Sequence, residues 1–237
     1  MTPRQFVSAL EGMSLPSVFN PWRDQCPVHD VSDAPERRRR NLESFLEAAV
    51  AAQVQTMWIA RDLGYRGGRR TGVPLTDEVH LDAAATLLGG VTFRRATGGP
   101  PMAERTAAVI WRVLTRIGAP VVLWNVFPFH PHADSDPMSN RCHTRLEREE
   151  TWPLLEALIE MVQPKRVIAI GRDASLALAE LGLEACAVRH PSYGGQAEFI
   201  AGMYELYGVG PEEPAYRQLA FMDDEPEWGS AERVASR

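Results

Sequence analysis

The chain has 237 residues, 45% of them hydrophobic and 24% charged, which suffices for one sizeable core and argues against a disordered chain. No run of eighteen apolar residues occurs, and the start lacks a long apolar stretch and a small-residue cleavage site, so neither a membrane span nor a secretory leader is expected, and a cytoplasmic protein is. The net charge of -6 disfavours a polyanion partner at first sight, but residues 211–237 alone carry seven acids against three arginines and so account for four of those charges. Cys26, Cys142 and Cys186 stand far apart without a C-x-x-C pair, so they read as reduced thiols, and three thiolates are too few for a four-cysteine iron-sulfur cluster.

In chain order, residues 1–35 hold several prolines and little periodicity, and read as an irregular arm or short helix packed on the body. Between Arg38 and Gln55 the apolar residues Leu42, Phe45, Leu46, Ala49 and Val50 recur at helical spacing opposite a charged face, which predicts an amphipathic helix. Met57 to Ala60 is a short apolar run with the form of a buried strand. It leads into Gly64-Tyr65-Arg66-Gly67-Gly68-Arg69-Arg70-Thr71-Gly72, where backbone amides can approach an anion. Helical patterns follow at Glu104–Ile117, Thr151–Val162 and Ala174–Leu181, and further apolar runs at Val121–Trp124, Arg166–Ile170 and Ala185–Val188. Strand and helix therefore alternate, which predicts a three-layer α/β/α sandwich around a four-stranded parallel sheet. The expected domain spans residues 36–210, followed by an acidic tail over 211–237.

In sheets of this kind ligands bind beyond the carboxyl ends of the strands, so the residues just after each strand carry the functional question. The first strand is followed by Arg61-Asp62-Leu63-Gly64-Tyr65, the second by Asn125-Val126-Phe127-Pro128-Phe129-His130, and the fourth by His190-Pro191-Ser192-Tyr193-Gly194-Gly195. An acid, an amide, an imidazole and a serine with glycines thus converge on one edge. Taken singly each has a plainer explanation. A lone Asp caps a helix, a lone Asn satisfies backbone, and a lone His packs.

Order and context together resemble the uracil-DNA glycosylase superfamily, over roughly residues 20–202. The water-activating loop of that family and its following stretch resemble Ala60-Arg61-Asp62-Leu63-Gly64-Tyr65 with Gly72-Val73-Pro74-Leu75-Thr76. The His-Pro-Ser loop stands as His190-Pro191-Ser192, and the base-reading asparagine corresponds to Asn125. The resemblance implies a DNA glycosylase that flips a nucleotide out of DNA and hydrolyses its N-glycosidic bond, with no cofactor and no metal. Asp62 then orients water and stabilises a cationic sugar, while His190, as neutral imidazole, donates to the departing base. Asn125, Leu75, Tyr65 and His130 fall to base recognition, and Arg66, Arg69, Arg70, Ser192, Gly194 and Gly195 to the DNA backbone. Leu75 stands where the family has a phenylalanine that stacks on uracil, and losing that ring forfeits roughly 1–3 kcal/mol of stacking. This departure and the altered first motif point toward a bulky modified cytosine, such as the glucosylated hydroxymethylcytosine of phage DNA, and so toward anti-phage defence. Housekeeping uracil excision, a catalytically silent nucleic-acid-binding module and a phosphate-handling enzyme are the alternatives, and the absence of a G-x-x-x-x-G-K-[ST] segment counts against a nucleoside triphosphatase. His130, His132 and His143 invite a zinc reading, but no third ligand of defined spacing accompanies the pair at His130 and His132.

Overall fold

The computed structural model describes residues 1–210, so the acidic segment expected over 211–237 lies outside the described residues. In chain order the elements are α1 (Pro3–Gly12), β1 (Val18–Phe19), α2 (Ala34–Ala51), β2 (Thr56–Ala60), α3 (Gly68–Thr71), α4 (Leu81–Leu87), α5 (Arg105–Ile117), β3 (Val122–Asn125), β4 (His130–Pro131), α6 (Arg145–Val162), β5 (Arg166–Ile170), α7 (Arg172–Glu180), β6 (Cys186–Val188) and α8 (Gln196–Tyr207).

The four strands anticipated from the apolar runs form one parallel sheet in the order β3-β2-β5-β6. Ala60 lies beside Asn125 in the β2–β3 register and Ile59 beside Ala169 in the β2–β5 register, so the strands end nearly level. Every residue of β2 is buried, as a central parallel strand covered on both faces requires. The alternation of side chains shows both covers: Trp58 donates its indole N–H to the Tyr207 hydroxyl of α8 at 2.8 Å, whereas Trp124, across from Ile59, meets Phe6 of α1 and stacks on Trp22. The architecture is therefore the expected α/β/α sandwich.

Local chemistry sets the helix ends. Thr144 closes a capping box with Glu147 at the start of α6, and Gly118 ends α5 in the left-handed conformation that glycine adopts without a Cβ clash. In α2 the buried Leu42, Phe45, Leu46 and Ala49 recur three and four residues apart and face α1 and α6. The first 35 residues are more ordered than an irregular arm. A capping box at Thr2 starts α1, and Phe6, Val7 and Leu10 join the same core as the sheet. β1 pairs antiparallel with β4, a two-residue contact with no periodic signal in sequence. The helices α4 and α8 were likewise unmarked by any expected pattern.

Connections from β2 run to β3 on one side, while β5 continues to β6 on the other, so the strand order reverses between β2 and β5. The ends of these two strands splay their following loops apart and leave a crevice, which is where such sheets bind ligands.

Candidate active site

That crevice is a cavity of about 400 Å³, lined from β2 by Ala60 to Gly64, from β5 by Ile170 to Asp173, and from β6 by Arg189, His190, Ser192 and Tyr193. Gly68, Leu75, Glu104, Thr106, Asn140 and Arg141 complete its wall. Its size lies within the roughly 300–1,000 Å³ of ligand pockets. Asp62 and His190, from strands separated by β5, thus face one space.

The Asp62 carboxylate is held at both oxygens. Arg61 Nε donates to Oδ2 at 2.6 Å, and His143 Nδ1 donates to Oδ1 through a short contact. Arg61 reaches on to Asp173 Oδ2 at 2.6 Å, bridging the ends of β2 and β5. Burial works against the Arg61 cation, but its hydrogen bonds to Asp62 and Asp173 prevail and raise its pKa. His143 is packed at 5.2 Å from the Phe127 ring, so its imidazole is fixed relative to Asp62. A carboxylate offers about four acceptor sites, which leaves Asp62 able to take a hydrogen bond from a water or substrate in the cavity.

His190 is oriented by its own loop. The Ser192 backbone N–H donates to Nδ1 at 3.2 Å and the Ser192 hydroxyl lies 2.7 Å from the same nitrogen. Because Nδ1 accepts, the ring proton of the neutral form sits on Nε2. Burial chiefly, then Arg61 and Arg189, lowers the His190 pKa against the pull of Asp173, so the imidazole is neutral near pH 7. The loop closes tightly: Gly195 N–H donates to the Ser192 carbonyl at 3.0 Å, and a Cβ at Gly195 would lie 2.3 Å from the His190 carbonyl oxygen. Gly194 adopts φ +79 and faces open space.

Other expected site residues lie elsewhere. Asn125 is fully buried and absent from the cavity wall; its Nδ2 donates to the Asp62 carbonyl at 3.0 Å, while its Oδ1 is a buried acceptor without a partner among the described residues. Leu75 does line the cavity, with φ +55, a strained conformation for a leucine. Tyr65 stands outside the wall, its hydroxyl accepting from Arg66 Nε at 2.6 Å, and Arg66 is exposed.

Three expectations are corrected. Arg69 is buried, its guanidinium 4.1 Å from the Phe19 ring centroid and donating to the Pro137 carbonyl, so it supports the interior and does not meet phosphate. Arg70 is buried as well, donating to Glu78 at 3.1 Å and Thr97 at 2.9 Å, because a buried Glu78 needs that counter-charge. His130 is fully buried and makes no part of the cavity: Arg69 donates to its Nδ1 at 3.2 Å and its Nε2 lies 2.9 Å from the Ser139 carbonyl. Burial first, then Arg69, lowers its pKa to about 3 in spite of Ser139 and Asn140, so it is a neutral structural imidazole.

Sequence reasoning passed over Glu104, His143 and Tyr193. Glu104 opens a helix, where an acid ordinarily answers the helix dipole, and His143 was weighed only as a metal ligand. Tyr193 is 97% exposed at the cavity mouth, and the left-handed φ of +52 was its only distinguishing local property.

Against known proteins, no family model and no curated protein matches the chain. Among solved structures it is similar to wild-type Pedobacter heparinus SMUG2, with a TM-score of 0.59 and 14% identity over 93% of this chain and 99% of that one. At that identity the likeness is one of fold, and it extends over nearly the whole of both chains.

Proposed function

We propose that the protein is a monofunctional DNA glycosylase, hydrolysing the N-glycosidic bond of a flipped, non-standard pyrimidine and leaving an abasic site. The observation that carries this reading is that Asp62 and neutral His190, far apart in sequence, share one cavity with Ser192 at the strand-order reversal. The fold it shares with SMUG2, a member of the uracil-DNA glycosylase superfamily, supports the same reading.

The chemistry needs a stabilised cationic sugar and a stabilised departing anion a few ångströms apart. Asp62 supplies negative charge and an acceptor that orients the attacking water. The Nε2–H of His190 donates to an oxygen of the base as negative charge gathers there, which a neutral imidazole does without losing its proton. Asn125, buried behind the cavity wall, steadies the Asp62 loop by donating to the Asp62 carbonyl. Ser192, Gly194 and Gly195, at the start of α8, and exposed Arg66 suit the phosphates beside the flipped nucleotide. Tyr193 at the mouth offers a ring to stack against the neighbouring bases.

Leu75 in the wall, in place of an aromatic ring, favours a bulky cytosine such as glucosylated hydroxymethylcytosine over uracil, and with it a role against phage DNA. The test is to incubate the protein with oligonucleotides carrying uracil, cytosine or glucosylated hydroxymethylcytosine and to identify freed bases by mass spectrometry. Release of the bulky cytosine is expected, with Asp62→Asn and His190→Ala each at least about a hundredfold slower. Failure to free a base from any of them removes the enzymatic reading, and release of uracil alone removes the cytosine assignment.

A further inference from the structure

Glu104 is one of three acids in the cavity wall, with Asp62 and Asp173, and the chemistry assigned to Asp62 and His190 gives it no task. It is the N-cap of α5, yet its side chain caps nothing. Its backbone N–H is tied to Asp77 Oδ2 at 2.7 Å, and Asp77 also accepts from the backbone of Val79 and His80 and from the His80 ring. With its main chain pinned in this way, the carboxyl turns into the glycine loop. A Cβ at Gly64 would lie 2.3 Å from its Oε1, and one at Gly67 only 2.1 Å from its Oε2. Two glycines therefore leave the room that the carboxyl occupies. Among the described residues no group donates a hydrogen bond to it, so its donor and acceptor capacity is left for the cavity that it lines with Asp62, Leu75 and His190.

We infer that Glu104 reads the edge of the extruded base and passes it a proton, which makes the preferred substrate a pyrimidine with a ring-nitrogen acceptor beside an exocyclic amine, the cytosine class. The inference rests on the glycosylase reading of this site and names its substrate class. A carboxylic acid carries an O–H donor next to a carbonyl acceptor, and cytosine presents the complement, N3 as acceptor beside the N4 amine as donor. Uracil leaves as a delocalised anion that a hydrogen bond from His190 can stabilise. Cytosine is the poorer leaving group and gains more from a full proton.

The Glu104 proton moves to N3, and the bond from C1′ to N1 breaks with its electron pair kept by the base, which departs neutral. A water oxygen bonds C1′ and gives its surplus proton to Asp62, from which solvent removes it. Solvent then returns a proton to the Glu104 carboxylate.

The electrostatics agree with this geometry. Burial chiefly, then the charge of Asp77, raises the Glu104 pKa to about 7 against the opposing pull of Arg66. The other charged groups facing the cavity are Arg61 and Asp62 after β2, Arg141 ahead of α6, and Arg172, Asp173, Arg189 and His190 at the ends of β5 and β6. The acid form is thus present at and below neutrality and lost above it.

Two measurements on the full chain test the inference. In the first, excision of cytosine-class bases and of uracil is followed from pH 6 to 9 for the native protein, Glu104→Gln and Glu104→Asp. Native excision of cytosine is expected to fall about tenfold per pH unit above 7. Glu104→Gln, which keeps donor and acceptor but has no transferable proton, is expected to be about a hundredfold slower on cytosine and unresponsive to pH there, with Glu104→Asp recovering part of both. In the second, binding is measured to an oligonucleotide bearing one 2′-fluoroarabino cytidine, which resists hydrolysis. Native binding is expected to weaken about tenfold between pH 6 and 9 while that of Glu104→Gln stays flat. Glu104→Gln excising cytosine at the native rate and pH profile, or native activity confined to uracil, overturns the inference and spares the glycosylase reading. No release from any oligonucleotide, with the binding difference intact, overturns the glycosylase reading and the proton transfer with it, and keeps Glu104 only as the reader of the base. Flat native binding without excision overturns both.

Discussion

The carboxylate of Asp62 is aimed by His143 and Arg61, so its effect on a reacting sugar depends on both of those side chains. His143→Ala is expected to lower the rate of base release about ten- to a hundredfold while leaving DNA affinity within a fewfold, since the carboxylate stays but loses its orientation. A rate unchanged in single-turnover assays removes His143 from the positioning of Asp62. The arginines of the glycine-rich loop separate at the same scale. Arg66 is exposed, so Arg66→Ala should flatten the slope of log affinity against log salt by about 0.7–0.9, the loss of one phosphate contact. Arg70→Ala should leave that slope alone and cost about 1–3 kcal/mol in urea unfolding, because it removes the buried partner of Glu78 and leaves the carboxylate to Arg95, Thr97 and the Met102 N–H. The sequence could not tell these arginines apart. A run of Gly and Arg announces a loop near an anion, but which guanidinium turns inward depends on where Phe19, Glu78 and Pro137 arrive from distant segments.

Among the elements, the loop from β6 to α8 carries the closest tolerances. Gly195 passes so near the His190 carbonyl that any side chain displaces the imidazole or the helix start. Gly195→Ala is expected to destabilise the protein by about 1–3 kcal/mol and to slow base release more than Gly194→Ala does, since a methyl at Gly194, though strained at φ +79, meets no neighbour and so does not press on His190. Equal rates for the two variants in the same assay contradict that account. The strands themselves were legible. Continuous apolar runs ended by polar or Gly-rich turns marked β2, β3, β5 and β6 to within a residue at either end; β2 and β3 are buried throughout, where few polar residues are admitted, whereas the edge strand β6 kept an apolar run although it is largely exposed. The antiparallel contact of β1 with β4 was not legible, since two residues carry no periodicity.

At the scale of the whole molecule, a single core reaches from Phe6 in α1 to Met203 in α8, and His130 is sealed inside its edge as a neutral ring. Its folded pKa, about 3, lies below the ordinary value of 6.5, so the unfolded chain takes up the proton first as pH falls. The stability this group contributes is complete above about pH 6.5 and is lost toward pH 3, at roughly 1.4 kcal/mol per pH unit across that window. Urea titrations at intervals from pH 7 to 4 should show the decline, and His130→Gln should flatten it. An unchanged slope in the variant assigns the acid sensitivity to other groups. Among the described residues no helix is long and apolar enough to cross a membrane.

The sequence by itself determined the sandwich, its parallel strands, and the edge at which Asp62, Asn125 and His190 end their strands, because hydrophobic periodicity and turn chemistry are local properties written into neighbouring residues. Only the tertiary structure decided which polar groups share the cavity. It turned Asn125 to the Asp62 carbonyl, closed Arg69, Arg70 and His130 into the interior, and brought Glu104 between two glycines from another segment. Burial and proximity arise from contacts among residues distant along the chain, and no local pattern records them.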